Sequence, residues 1–281
     1  MQGWRKTMED AHISTFDTNL SLFGVFDGHG GSEVASYTKN IILQTITNSP
    51  HYLKDWKQCL TTTFLDIDKS LTTEQGQKAL YAISKENGKS EEYGSVSEDA
   101  IHFNVGCTSC VALISGGEIY VANAGDSRCV MGKGGAAMEM SYDHKPSNEV
   151  EMNRIIKANG FVEDNRVNGM LGLSRAIGDY EYKNSKNLKM DEQLVIATPD
   201  IKVEKITDEV DFLVVACDGI WECWSSSKVV EFVYAKLKEH KALSEILDNL
   251  FEAIVSPDTS QSIYGCDNMT AIIVQFKKKS A

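Results

Sequence analysis

The sequence predicts an α+β protein in which antiparallel sheets carry helices on their outer faces. Apolar runs of helical spacing come in consecutive pairs, and strand-like runs come in meanders. The strict strand–helix–strand alternation of a doubly wound parallel sheet is missing.

Residues 20–27 (LSLFGVFD) form a short apolar run rich in Phe and Val, which reads as a strand. Over 32–48, Val34, Tyr37, Ile41, Ile42 and Ile46 recur at helical spacing. Over 52–72, Leu53, Trp56, Leu60, Phe64, Ile67 and Leu71 repeat the pattern. The segment 73–104 is rich in Glu, Lys, Ser and Gly with weak periodicity, so a surface insertion is expected there. Strands follow at 107–115, 118–123 and 127–131, the first two joined by Gly116-Gly117, a hairpin turn signal. Asn148 opens another helix, with Glu151 three residues on as a capping-box pattern and Gly160 as its stop. Residues 161–190 hold Gly, Asn and charge without a period and read as irregular. Strands are expected at 194–206, 210–217 and 269–276, and helices at 228–239 and 243–255. No internal repeat or Pro-rich linker divides the sequence, so one domain is expected over 1–281.

Composition fits a globular protein, with 42% hydrophobic and 24% charged residues among 281. A net charge of −12 repels nucleic acid and anionic lipid, so neither is an expected partner. The seven cysteines are odd in number and irregularly spaced, and several sit in apolar runs. They read as reduced core residues of a reducing compartment. No apolar run approaches the roughly 20 residues of a membrane span. MQGWRKTMED shows no secretory h-region, so the expected location is the cytoplasm, with the nucleus also open.

Four aspartates stand where apolar runs stop or start. Asp27 ends SLFGVF, Asp126 follows YVANAG, Asp218 ends FLVVAC, and Asp267 precedes NMTAIIVQF; Glu9 and Asp10 add an acidic pair. A strand end lets a rigid sheet aim a side chain into a shared cleft. Carboxylates gathered in one cleft cannot all stay ionised unless cations sit among them, and oxygen-only ligation selects hard ions such as Mg²⁺ or Mn²⁺. Each piece has a plainer reading. A lone Asp-Gly is most often a turn, Glu9-Asp10 alone a solvated face, His29 a surface or core histidine, and Arg5 a snorkelling side chain.

Rival chemistries leave weaker marks. Gly28-His29-Gly30 resembles a dinucleotide loop, but Glu33 fills the sixth position. No cysteine has an arginine six residues later, and no Walker or zinc-protease pattern occurs. Asp66-Ile67-Asp68-Lys69-Ser70 resembles an aspartate-nucleophile motif, but the apolar spacing places it on a helix with Asp66 and Asp68 toward solvent. Cys107-x-x-Cys110 lacks two further soft ligands and reads as buried packing.

In order along the sequence stand MQGWRKTMEDAH at 1–12, FGVFDGHGGSEVA at 23–35, YVANAGDSR at 120–128 and DHKPSNEVEMNRI at 143–155. RVNGMLGLSRAIGDYEYK at 166–183, ATPDI at 197–201, VVACDGIWE at 214–222 and GCDNMTAIIV at 265–274 follow. With these the sequence resembles the PPM/PP2C metal-dependent protein serine/threonine phosphatases. The resemblance implies a four-layer αββα sandwich, two central antiparallel sheets flanked by helices, with two Mg²⁺ or Mn²⁺ at one edge and a weaker third. It implies that Asp27 bridges both metals and that the Gly28 carbonyl helps bind the first. Glu9, Asp218 and Asp267 would hold the second, and Asp126 with Asp218 the third. Glu222 stands where the family often has Asp and is one methylene longer. Asp10 would act from behind or through water.

By the same resemblance Arg5 would grip the substrate phosphate and His29 would be the general acid. Residues 161–190 would form a flap beside the cleft. Substrates would be phosphoserine and phosphothreonine proteins, attacked directly by a metal-bridging hydroxide, and the protein would be a monomer. The rival class is a catalytically silent scaffold. Such proteins usually lose a core ligand or the phosphate arginine, whereas Arg5, Glu9, Asp27, Gly28, Asp218 and Asp267 are all present.

Overall fold

The computed structural model describes residues 1–87, 105–259 and 264–277. Two antiparallel sheets form the centre. The first joins β1 (Ala11–Phe16), β2 (Ser21–Phe26), β5 (Ser109–Ser115), β6 (Glu118–Ala124) and β12 (Asp200–Lys205) in the order β1-β2-β5-β6-β12. The second runs β14-β13-β7-β8, from Ala271–Gln275, Val210–Ala216, Arg128–Lys133 and Ala136–Glu139. A small third sheet pairs β4 (Gly106–Cys107) with β3 (Gly28–His29) on one side and β11 (Ile177–Gly178) on the other. A ribbon pairs β9 (Val162–Glu163) with β10 (Arg166–Val167).

Strand alternation builds the layers. On β2, Phe23 and Val25 face the second sheet while Leu22 and Phe26 face helices α1 (Glu33–Asn48), α2 (Trp56–Ser70) and α3 (Glu74–Glu86). On β13, Leu213 and Val215 meet the first sheet. Phe212, Val214 and Ala216 meet α6 (Ser226–Lys238) and α7 (Leu243–Ile254). The result is the expected four-layer αββα sandwich. Both hairpin glycines, Gly116 and Gly117, have positive φ, as the tight turn between β5 and β6 requires.

The structure departs from the sequence reading in several places. α2 starts at Trp56 rather than residue 52, because Leu53 is left-handed at φ 60° and Asp55 caps the helix by accepting from the Gln58 amide. The expected insertion begins instead with α3, capped by Thr73 and buried at Gly76, Leu80 and Ser84; residues 88–104 lie outside the described residues. β8 was not foreseen, since its Ala-Ala-Met-Glu lacks β-branched residues. The strand expected at 194–206 is confined to β12, because Arg154 holds the carbonyls of Gln193 and Leu194.

α4 (Glu149–Lys157) has no capping box. Asn148 donates to the Asp143 carbonyl, and Glu151 turns to Arg154, Arg175 and Ser174. Asp68 does not face solvent as the helix spacing predicted. It is 2% exposed and receives the buried Lys183 ammonium at 2.7 Å and the Gly178 amide at 2.8 Å. Asp68 lies one turn after Phe64, on the flank of the core stripe, and the chain after β11 covers that flank, whereas Asp66 is exposed as expected.

Candidate active site

One cleft of about 780 Å³ opens at the edge where strands of both sheets end. Arg5, Glu9, Asp27, Gly28, His29, Asp126, Asp218, Glu222 and Asp267 all line it. Asp10 does not line it, but sits beside Asp27: an oxygen from each and the Cys217 sulfur lie within 4.8 Å of one another.

Each carboxylate reaches the cleft from a rigid element. Asp27 follows β2, and its backbone is locked by Thr108, whose amide donates to the Asp27 carbonyl at 2.9 Å. Asp126 follows β6, and Asp218 opens the short helix α5 (Asp218–Trp221) after β13. Asp267 precedes β14. The N-terminal segment is pinned from the far end of the sequence. Asn268 donates to the carbonyls of Gln2 at 2.8 Å and Thr7 at 3.0 Å, and its Oδ1 accepts from the Glu9 amide. Gly28 lets that segment pass, because a Cβ there would stand 2.4 Å from the Glu9 carbonyl oxygen.

The electrostatics are those of crowded carboxyls. Burial pushes the Asp27 carboxyl well above its usual range, and Asp218 and Asp10 push it further. Burial, then Asp126 and Glu222, raise Asp218 to about 8. Burial also raises Asp10 and Glu222. Asp10 Oδ2 is buried without a hydrogen-bond partner. The Cys217 thiol is driven well up by burial and is held by the Asn268 carbonyl and the Thr270 amide, so it stays protonated. The donor set left for an ion is therefore oxygen, which fits Mg²⁺ or Mn²⁺.

Of the basic residues lining the cleft, Arg5, His29 and Lys145 reach acidic partners. Arg5 Nη2 reaches Asp267 Oδ2 at 2.6 Å with its side chain 62% exposed. His29 Nε2 donates to Asp179 Oδ2 at 2.7 Å. Burial draws the His29 pKa down, but Asp179 more than reverses this, and the net shift is upward. Lys145 Nζ lies 2.5 Å from Asp126 Oδ2. Sequence reasoning gave no role to Asp179, Asn268 or Lys145. Their only signal was membership of the motifs at 166–183, 265–274 and 143–155. Asp179 is left-handed at φ 53°, and Gly106 makes room for its contact: a Cβ there would fall 2.3 Å from Asp179 Oδ2 and 2.6 Å from His29 Nε2. From the segment expected to form a flap, Asp164, Asn165, Arg166, Leu171, Gly172 and Leu173 line the cleft.

The cysteines are all free among the described residues, five of them buried. Cys107 and Cys110 contact Thr38 and Ser141, in keeping with packing rather than zinc binding.

Comparison with known proteins gives the family of the chain. The family model for protein phosphatase 2C matches residues 1–263. A probable protein phosphatase 2C of Arabidopsis thaliana is 42% identical, covering 99% of this chain and 85% of that protein. A probable protein phosphatase 2C of Paramecium tetraurelia is 43% identical over 99% and 90%. Among solved structures, a phosphatase from a pathogenic strain of Toxoplasma gondii superposes with a TM-score of 0.76 at 23% identity, covering 98% of this chain and 90% of that one. The last likeness carries the fold alone. The family match over nearly the whole sequence carries more: the chain belongs to the protein phosphatase 2C family.

Proposed function

We propose that this protein phosphatase hydrolyses phosphoserine and phosphothreonine in proteins, with Mg²⁺ or Mn²⁺ as its cofactor. The observation that carries this reading is the half-buried pair Asp27 and Asp218 in the cleft, where burial and neighbouring carboxylates push both toward the neutral form. Such a pair is stable in ionised form only beside cations. Glu9, Asp27, the Gly28 carbonyl, Asp218 and Asp267 would hold two ions, with Asp10 behind them and Asp126 with Asp218, and Glu222 as a further candidate, at a weaker third position. When bound, the ions neutralise these carboxylates and acidify water to near neutrality, so that no protein nucleophile is needed.

The chain's own residues supply the rest. Arg5 offers a planar fork to phosphoryl oxygens, and its exposure leaves part of that fork open to the cleft. With Nε2 of His29 held by Asp179, Nδ1 is the ring nitrogen left to protonate the departing serine or threonine oxygen. The upward shift of His29 keeps the proton on the ring near neutral pH. The phosphoryl transition state is loose and anionic, so positioning and charge do most of the work.

The test is phosphate release from a phosphothreonine peptide. Activity should vanish with EDTA and return with Mn²⁺. Full turnover in EDTA would refute the metal assignment, and no turnover under any metal would favour the scaffold.

A further inference from the structure

We infer that the Lys145 ammonium is a built-in cation that occupies the third position and opposes a divalent ion there. The inference rests on the metal reading above. Nζ lies 2.5 Å from Asp126 Oδ2, and the two side chains are 27% and 8% exposed. Asp218 and Glu222 are near enough for their charges to act on the same ammonium. The three carboxylates proposed for a third ion thus already share one positive charge.

The ammonium is delivered by a fixed base. Its neighbour His144 is buried, with the amide donating to the Gly125 carbonyl at 2.9 Å and Nδ1 accepting from the Gly125 amide at 3.2 Å. Nε2 of His144 donates to Asp200 at 3.1 Å, and the His144 carbonyl accepts from the Ser174 amide and hydroxyl. Gly125 directly precedes Asp126, so the roots of the pair are tied together and only the lysine stem can swing. A divalent ion on Asp126 would compete with the ammonium for Oδ2 and repel it at short range. Binding there requires the stem to move out into the cleft, and this exchange weakens the site.

A purely structural ion pair predicts something different: loss of Lys145 would lower stability and leave metal binding alone. Calorimetric titration with Mn²⁺ separates the two, using wild type, Lys145→Gln, Lys145→Met and Lys145→Arg. The neutral variants should bind the weakest ion at least tenfold more tightly with the tight ions unchanged, and Lys145→Arg should behave as wild type. Unchanged weak-site affinity in both neutral variants overturns the inference and leaves the metal reading standing. No Mn²⁺ bound by wild type overturns both. Should the neutral variants fold poorly, amine labelling of wild type read by mass spectrometry decides. Labelling of Lys145 should rise as the weakest ion binds; that ion binding with labelling unchanged overturns the inference.

Discussion

Asp27 and Asp218 meet in the cleft, and each carries a carboxyl that burial disfavours in charged form. If they hold the ions, Asp27→Ala and Asp218→Ala should each lower kcat by at least about 100-fold, since losing even an outer partner of a metal ligand costs 10–100-fold. Near-normal phosphate release in either would remove the residue from the site. His29→Ala should slow phosphoserine peptides by about 10²-fold but aryl phosphates far less, because aryl leaving groups need little protonation. Equal losses on both substrates would take the acid role from His29. The carboxylates were legible because a strand end followed by Asp is a local pattern. Asp179 and Asn268 were not, since their partners His29 and Glu9 lie 150 and 259 residues away.

Among elements, α2 is the one whose surface was misjudged. Its Asp68 and the Lys183 after β11 form an ion pair with almost no exposure. Tyr180 also donates its hydroxyl to the Asp68 carbonyl, so this helix is fastened to the segment that carries Asp179. Asp68→Ala strands a buried ammonium, which should cost about 3–5 kcal/mol. Thermal denaturation should show a fall of roughly 6–20 °C in Tm. A change within a degree would mean that water replaces the carboxylate. The paired helices, the hairpin and the strands of both sheets other than β1 and β8 were legible from period and turn chemistry. The caps of α4 were not, because tertiary partners claimed Asn148 and Glu151.

At the scale of the whole molecule, crowded carboxyls link stability to pH. Asp27, Asp218 and Asp10 have raised pKa values in the fold. Above the unfolded carboxylate range of about 4 the native state therefore binds more protons than the unfolded chain, and stability falls as pH rises toward 8. Metal-free protein should melt at a lower temperature at pH 8 than at about pH 5. Mn²⁺ at 100 times its Kd should add about 2.7 kcal/mol per ion, or roughly 5–10 °C for each, at pH 8. At pH 5 the gain should shrink, because protons compete for the same oxygens. Scanning calorimetry at both values, with and without Mn²⁺, checks this; a metal-free Tm that rises with pH would contradict the burial of these acids. The sandwich itself was foreseen through the ordered motifs, whereas residue periodicity alone led only to helices outside antiparallel sheets.

The clasp of Asn268 on Gln2, Thr7 and Glu9 also sets an order of events during synthesis. Arg5 and Glu9 are translated before residue 268, yet have no seat until it follows. A nascent polypeptide can shape most of both sheets and still lack a seated Arg5 and Glu9 until residue 268 has joined them.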